Sequence, residues 1–360
     1  MTVTTRRRFL AAATGVTAAV NLPTPAIARE RRIWRLATSW PRNAPGPGTT
    51  AARLAERITL LSDGRLTVEL HAAGELVPAL EVFDAVSAGT VEMGHSAALF
   101  WSGKMPSAPY FTAVPFGLLP EGHDAWLTAG GGQALWDDLY GAFGVKPFAA
   151  GNSGIQMGGW YRRPIEGLEA LQGLRVRMPG LGGEVLRRLG AAPVTLPPGE
   201  IFAALSTGAI DGAEFLGPWQ DRALGLDRAA DFYLWPGWHE PNGSAEALVS
   251  AAAYADLPGD LQRLIVTCCE AENRHGPAEA EWHNAVALAE LEADGRGTLL
   301  PWPGDVLRAA RSESEAVLAD LAQTAAIDRR IRESYAAAKQ LFRPWGRVGR
   351  HAVLSAEIDT

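Results

Sequence analysis

The chain has 360 residues, 33 Lys and Arg against 40 Asp and Glu for a formal net charge of −7, and 47% apolar side chains. That length exceeds one ordinary core and points to two lobes. The acidic balance argues against nucleic acid or an anionic membrane as a partner. The only cysteines, Cys268 and Cys269, are adjacent, a spacing that disfavours a disulfide, so they are expected as two thiols in a helical run.

Thr5-Arg6-Arg7-Arg8-Phe9-Leu10 has the form of a twin-arginine export signal. Leu10 to Val20 is apolar but too short to span a bilayer, and Ala26-Ile27-Ala28 has the small-x-small form of a cleavage site. Residues 1–28 are therefore expected to be removed in the periplasm; they hold three Arg and no acid, leaving 30 basic against 40 acidic residues, net −10. The mature chain opens with an expected strand Trp34–Ser39, a Pro/Gly loop Asn43–Gly48 and a helix capped by Thr49 or Thr50 and running to Leu61. Leu66–His71 alternates as a strand. A helix of about Pro78–Ala88 follows, then a short strand Val91–Met93, so the first lobe reads βαβαβ with a mostly parallel sheet.

Phe143–Ala150 and the segment after Gly151-Asn152 read as the crossover to a second lobe. There Trp160 opens a strand pair, Pro164–Leu171 is a turn and helix, and Leu174–Met178 is a strand stopped by Pro179-Gly180. A helix over 199–207 ends at Gly208, and a strand Ala209-Ile210 is expected to carry Asp211 and Glu214 to its far end. Gly225–Ala230 reads as helical and Trp235–Gly243 as a turn-rich aromatic loop. Glu246–Ser250 returns as a strand to the first lobe. Pro258–Leu291 suits a hinge helix spanning both lobes, and the last helices are expected over Gly304–Thr324 and Ile327–Phe342, the second broken by Pro344. Ala85–Ser96 and Ala204–Phe215 form a weak internal repeat of helix end, glycine, β-branched strand and acid.

Enzyme signatures are missing: His239-Glu240-Pro241 breaks a zinc motif at once, and there is no Cys-x-x-Cys, no Gly-x-Ser-x-Gly and no phosphate loop after Gly130-Gly-Gly132. Arg177 stands out because it lies near the carboxyl end of its strand, where open α/β sheets bind ligands. Its guanidinium can grip a carboxylate in two parallel hydrogen bonds. Arg175 reads as the partner of a surface acid. Gln156, at the lobe junction, offers a donor and an acceptor; Asn152 in the same loop suits a turn equally well. Glu214, the Phe215 carbonyl and Gln156 could cage a hard cation, Na⁺ or Ca²⁺.

Leu171-x-Gly-Leu-x-x-Arg177-x-Pro, then Gly190-Ala-x-Pro, then Ala204-Leu-x-x-Gly-x-Ile-Asp-Gly-Ala-Glu214 resembles the signature of the solute-binding proteins of TRAP transporters. Ala37–Pro41, Ala73–Pro78, Glu92–His95, Lys104–Pro106, Phe111–Gly117, Gly151–Trp160 and Trp235–Glu240 extend the likeness over nearly the whole mature chain, with most similarity to the 2-oxo-acid, pyruvate-type binders. The resemblance implies an α/β two-lobe periplasmic-binding fold (type II-like): 29–151 with about 244–280 as lobe I, 152–243 with about 281–325 as lobe II, and C-terminal helices over 326–360. It implies a receptor, not an enzyme, that hands a small carboxylate to TRAP permease subunits. Arg177 would clamp the carboxylate, Gln156 would touch ligand and metal, and Glu240 would face either. Sodium, or alternatively calcium, would be chelated by the ligand carboxylate and its 2-oxo or 2-hydroxy oxygen. The resemblance also implies a homodimer that exchanges a C-terminal helix, for which Ile327, Ile331, Tyr335 and Ala338 supply an apolar stripe. Two departures bear on the ligand: Phe215 stands where relatives commonly have Trp, and Ala98-Leu-Phe-Trp101 lacks their tyrosines, which leans toward a longer or branched 2-oxo acid. A calcium-dependent lactate-type receptor, a sensor-coupled binder and a secreted enzyme on the same lobes are the alternatives.

Overall fold

The computed structural model describes residues 31–358, so the expected export segment 1–28 lies outside the described residues. Eleven strands, β1 (Arg32–Thr38), β2 (Leu66–His71), β3 (Met93–Ser96), β4 (Val145–Asn152), β5 (Gly159–Tyr161), β6 (Arg175–Arg177), β7 (Ala192–Val194), β8 (Gly212–Ala213), β9 (Phe232–Trp235), β10 (Ser244–Ser250) and β11 (Thr298–Pro301), build two sheets. The first has the order β2-β1-β3-β10-β4 and the second β11-β9-β5-β8-β6-β7. In the first, β1 runs parallel to β2 and β3, while β10 is antiparallel to both its neighbours. All seven residues of β10 are buried, as suits a central strand.

The helices are α1 (Pro47–Leu61), α2 (Val82–Ser87), α3 (Pro120–Thr128), α4 (Gly132–Gly141), α5 (Gly180–Arg188), α6 (Pro198–Thr207), α7 (Pro218–Leu224), α8 (Ala251–Ala255), α9 (Gly259–Ala293), α10 (Gly304–Leu321), α11 (Ala326–Gly346) and α12 (Ala352–Ile358). Three passages join the sheets: the loop from β4 to β5, the loop from β9 to β10, and α9. Helix α9 has 35 residues and so spans about 50 Å. Its first half is bolted to α1 through Arg53 and Arg57, which reach the fully buried Glu272 at 3.1 Å. Its second half holds α7, through Asn284 Oδ1, which accepts the Trp219 amide at 3.1 Å, and through Glu290 and Asp294 on Arg222.

One core lies between α1, α9 and the first sheet, with Leu36, Leu54, Ile58, Phe148 and Ile265 among its members, and the unbridged, buried thiols of Cys268 and Cys269 belong to it. A stack of Phe111, Trp126 and Trp136 anchors another, into which α11 inserts Ile331 and Tyr335. Trp101, Trp126, Trp136 and Trp160 are all core residues.

The structure corrects several expectations. Helix α1 starts at Pro47 behind Gly46, with no threonine cap; proline at a first turn needs no amide partner. The strand expected over Val91–Met93 is Met93–Ser96. The strand expected at Ala209-Ile210 is Gly212-Ala213, because Ile210 is still tied by its amide to the Ala204 carbonyl of the preceding helix. Gly225–Ala230 gives only a 3-10 turn, Leu226–Arg228. Pro344 does not break its helix: α11 runs through it to Gly346 and a π-helical turn leads into α12.

Candidate functional site

Arg177 is the last residue of β6 and sits opposite Ala213 in the parallel pairing with β8. The next amide, that of Glu214, donates to the Arg177 carbonyl at 3.0 Å. Register alone therefore sets these two side chains beside each other at the carboxyl ends of adjacent strands. Both are buried, at 2% and 0% exposure. Arg177 Nη1 donates to Glu214 Oε1 at 2.5 Å and to the Glu214 carbonyl at 2.6 Å, and Nε reaches the Leu196 carbonyl at 3.3 Å. The Phe215 ring lies 5.8 Å below the guanidinium. Nε and Nη1 are thus engaged, while Nη2 has no hydrogen bond among the described residues.

Asp211, expected at the same rim, instead pairs with Arg175 at 2.6 Å, confirming Arg175 as the partner of a surface acid. Glu214 keeps its second oxygen for His239 Nε2 at 3.1 Å.

The loop from β4 to β5 brings Gln156, whose Nε2 donates to Ser153 Oγ at 2.9 Å and to Glu240 Oε2 at 3.1 Å. In this orientation of the amide, Gln156 Oε1 is buried without a partner among the described residues. Gly243 makes this possible, because a Cβ there would fall 2.2 Å from both Gln156 Nε2 and Ser153 Oγ. Burial, and then the charge of Glu214, push the Glu240 carboxyl well above the usual range, against the pull of Arg177. Ligand atoms of Glu214, His239 and Glu240 lie within 4.8 Å of one another. Two carboxylates and an unpaired amide oxygen fit a hard cation.

Asn152 turns out to shape the loop. Its Nδ2 donates to Asn242 Oδ1 at 2.6 Å and its Oδ1 accepts the Gly154 amide at 2.9 Å. It still borders the cavity. That cavity encloses about 60 Å³, on the order of four water positions at ~15 Å³ each. Trp40, Leu99 and Phe100 wall one side; Gln156, Arg177, Glu214, Phe215 and Glu240 face them from the other. Trp101 does not reach it, since its Nε1 donates to Glu246 inside the core.

The sequence reading missed His239 as a partner of Glu214, Ser153 as a support of Gln156, and Gln220, which also borders the cavity. It also missed His95, whose Nδ1 accepts from Trp40 Nε1 at 2.8 Å while its other nitrogen donates to the Ala150 carbonyl at 2.9 Å. Burial lowers that imidazole to about 4, so it stays neutral and holds the Trp40 wall in place. Adjacency to Glu240 was the one signal that could have flagged His239.

Comparison with known proteins gives a consistent result. The family profile of bacterial extracellular solute-binding proteins, family 7 (DctP), matches residues 36–324. A monocarboxylate 2-oxoacid-binding periplasmic protein of Nostoc sp. is 40% identical over 315 residues, 88% of this chain and 86% of that protein. A TRAP transporter solute-binding protein of Bordetella bronchiseptica, solved as a mixed-occupancy dimer with copurified calcium and picolinate, superposes with a TM-score of 0.89 at 33% identity, covering 92% of this chain and 98% of that one. One from Pseudoalteromonas atlantica, with bound sodium and pyruvate, gives 0.88 at 34% identity, covering 91% and 99%. With its two sheets, its cleft and these likenesses, the chain belongs to the DctP family of extracellular solute-binding proteins, the solute receptors of TRAP transporters, and is not an enzyme.

Proposed function

We propose that the protein is a periplasmic receptor for a small 2-oxo monocarboxylate, pyruvate or a slightly longer acid, bound together with a metal cation and passed to a TRAP membrane permease. One observation carries this reading. The buried Arg177, with Nη2 still without a partner among the described residues, the unpaired Gln156 Oε1 and two carboxylates all border one cavity. Nη2 would hold the ligand carboxylate. Gln156, Glu214, Glu240 and the Phe215 carbonyl would hold the cation, which would supply a second positive charge against the ligand. Asn152 would shape the wall.

Pyruvate and picolinate, the ligands of the two solved relatives, share a carboxylate with a second donor atom on the neighbouring carbon, the geometry a chelated cation needs. Sodium is the first choice for the cation and calcium the second. With Glu240 as a neutral acid, Arg177, Glu214, ligand and Na⁺ sum to zero; with Glu240 ionised, Ca²⁺ balances the site.

Residues 29–151 with 244–280 and 152–243 with 281–325 form the two lobes, which close on the ligand about α9. The protein works as a homodimer joined through its C-terminal helices. Calorimetry of dialysed protein with pyruvate, in sodium, in calcium and in neither, tests the core of the reading. Tight binding only with one cation present is expected. Equal affinity after exhaustive cation removal sinks the metal bridge, and no heat with any 2-oxo acid sinks the ligand class.

A further inference from the structure

Two polar side chains border the cavity, are used by neither the clamp nor the cation cage, and have buried atoms without partners among the described residues: Ser244, through Oγ, and the larger Gln220, through both ends of its amide. Gln220 is 1% exposed, and neither its Oε1 nor its Nε2 has a hydrogen-bond partner among the described residues. A buried amide with both ends unpaired is costly, and packing alone would be better served by Leu or Met.

The side chain is also held firmly. Its neighbour Trp219 is tied to α9 through Asn284 at 3.1 Å. Its other neighbour, the fully buried Asp221, accepts from the Leu216 amide at 3.0 Å and from Tyr233 Oη at 2.8 Å. From the opposite lobe, Gly46 closes over the amide so tightly that a Cβ there would lie 2.9 Å from Nε2.

Resting on the receptor reading above, we propose that Gln220 is a specificity-determining residue that hydrogen-bonds an uncharged polar group on the ligand beyond its 2-oxo carbon. The amide presents a donor and an acceptor together, which suits a hydroxyl or a carboxamide that can answer both. A second carboxylate would pair with Nε2 alone, leave Oε1 unpaired, and add a charge to a site whose one guanidinium is already shared with Glu214. The ligand class is therefore a short 2-oxo monocarboxylate with a neutral hydrogen-bonding tail.

Two matched pairs of acids, differing only in hydroxyl against methyl, test this by calorimetry at saturating cation. They are 3-hydroxypyruvate with 2-oxobutanoate, and 4-hydroxy-2-oxobutanoate with 2-oxopentanoate. The parent protein should favour the hydroxylated member of at least one pair by roughly threefold to tenfold, the range of one net hydrogen bond. Gln220→Leu and the shape-conserving Gln220→Met should abolish or invert that preference while still binding pyruvate.

A parent that prefers the methyl member of both pairs overturns the inference whatever the variants do. So does a preference that survives both substitutions within twofold. In either case retained pyruvate binding leaves the receptor reading standing, whereas a parent that binds none of the five acids overturns both.

Discussion

Arg177 is paired with Glu214 in this fold, and that changes what its substitution does. Arg177→Lys keeps a charge for Glu214 but loses the fork, so 2-oxo-acid affinity should fall by roughly tenfold to 150-fold, the worth of a charge-assisted hydrogen bond of about 1.5–3 kcal/mol. Arg177→Ala also strands a buried carboxylate, which costs about 3–5 kcal/mol of stability, so melting temperature must be read beside affinity. Glu240→Gln is a gentler probe of the cation. Its amide oxygen can still accept from Gln156 Nε2, while the carboxyl that could ionise to balance a divalent cation is gone. Its affinity defect should shrink as sodium or calcium is raised, whereas the Arg177→Lys defect should not. If both variants respond alike to added cation, clamp and cage are not separate devices. The place of Arg177 was legible because a short alternating run ended by Pro-Gly puts its last side chain at the sheet edge. The direct pairing with Glu214 was not, because it depends on β6 lying beside β8, and a strand of two residues leaves no alternation to read.

At the scale of elements, β10 carries a second buried acid with a pH signature. Burial raises the Glu246 carboxyl to about 8, against the hydrogen bonds from Trp101 and Tyr140 that favour its charged form. A carboxyl raised in the folded state favours folding below its ordinary value near 4.5 and loses that contribution as pH climbs toward 8. Asp221, raised to about 7 chiefly by burial, acts in the same direction. Stability should therefore decline between about pH 6.5 and 8, above the window in which the buried imidazoles of His95 and His123, each lowered to about 4, act in the opposite sense. Glu246→Gln, which can accept from Trp101 and donate to Tyr140 Oη, should be more stable than the parent at pH 8 by an amount on the order of a few kcal/mol and nearly equal to it at pH 5. Chemical denaturation at the two pH values checks this; parallel curves for parent and variant refute it. The element order was largely legible, since β1, β2, β10 and α9 follow from alternation and helical period. What escaped were short strands and ends fixed by tertiary neighbours: β3 begins where β1 and β10 can pair with it, and α11 continues through Pro344.

Across the whole molecule, α9 is where the two halves meet the ligand loop. At its middle, Gly276 packs so closely on the chain that a Cβ would lie 2.8 Å from the Asn152 amide nitrogen and 3.0 Å from its carbonyl oxygen. Gly276→Val should push α9 off the loop that holds Gln156 and weaken ligand binding and stability together. The C-terminal helices answer a different need. Ile331 and Tyr335 of the expected dimer stripe are buried against their own chain, with Tyr335 Oη accepting the Leu118 amide at 2.8 Å. The side chains left bare are further on: Leu341, Trp345, Val348 and Val353 are 73%, 69%, 61% and 66% exposed. Four large apolar residues at spacings of four, three and five along one run make a face that isolated chains seldom leave in water. If a second copy covers it, the double substitution Leu341→Glu with Trp345→Glu should yield a monomer by light scattering at micromolar concentration. Its 2-oxo-acid affinity should match the parent, because neither residue borders the cavity, while its melting temperature should lose the parent's dependence on protein concentration. Deleting α11 entirely should instead destabilise the chain, since that also removes Tyr335 from the stack at Trp126. A parent protein that is already monomeric under those conditions would refute the dimer. A double variant that stays dimeric would move the interface to another face, for which Trp282 and Val286, exposed one turn apart on α9, are the next residues to change.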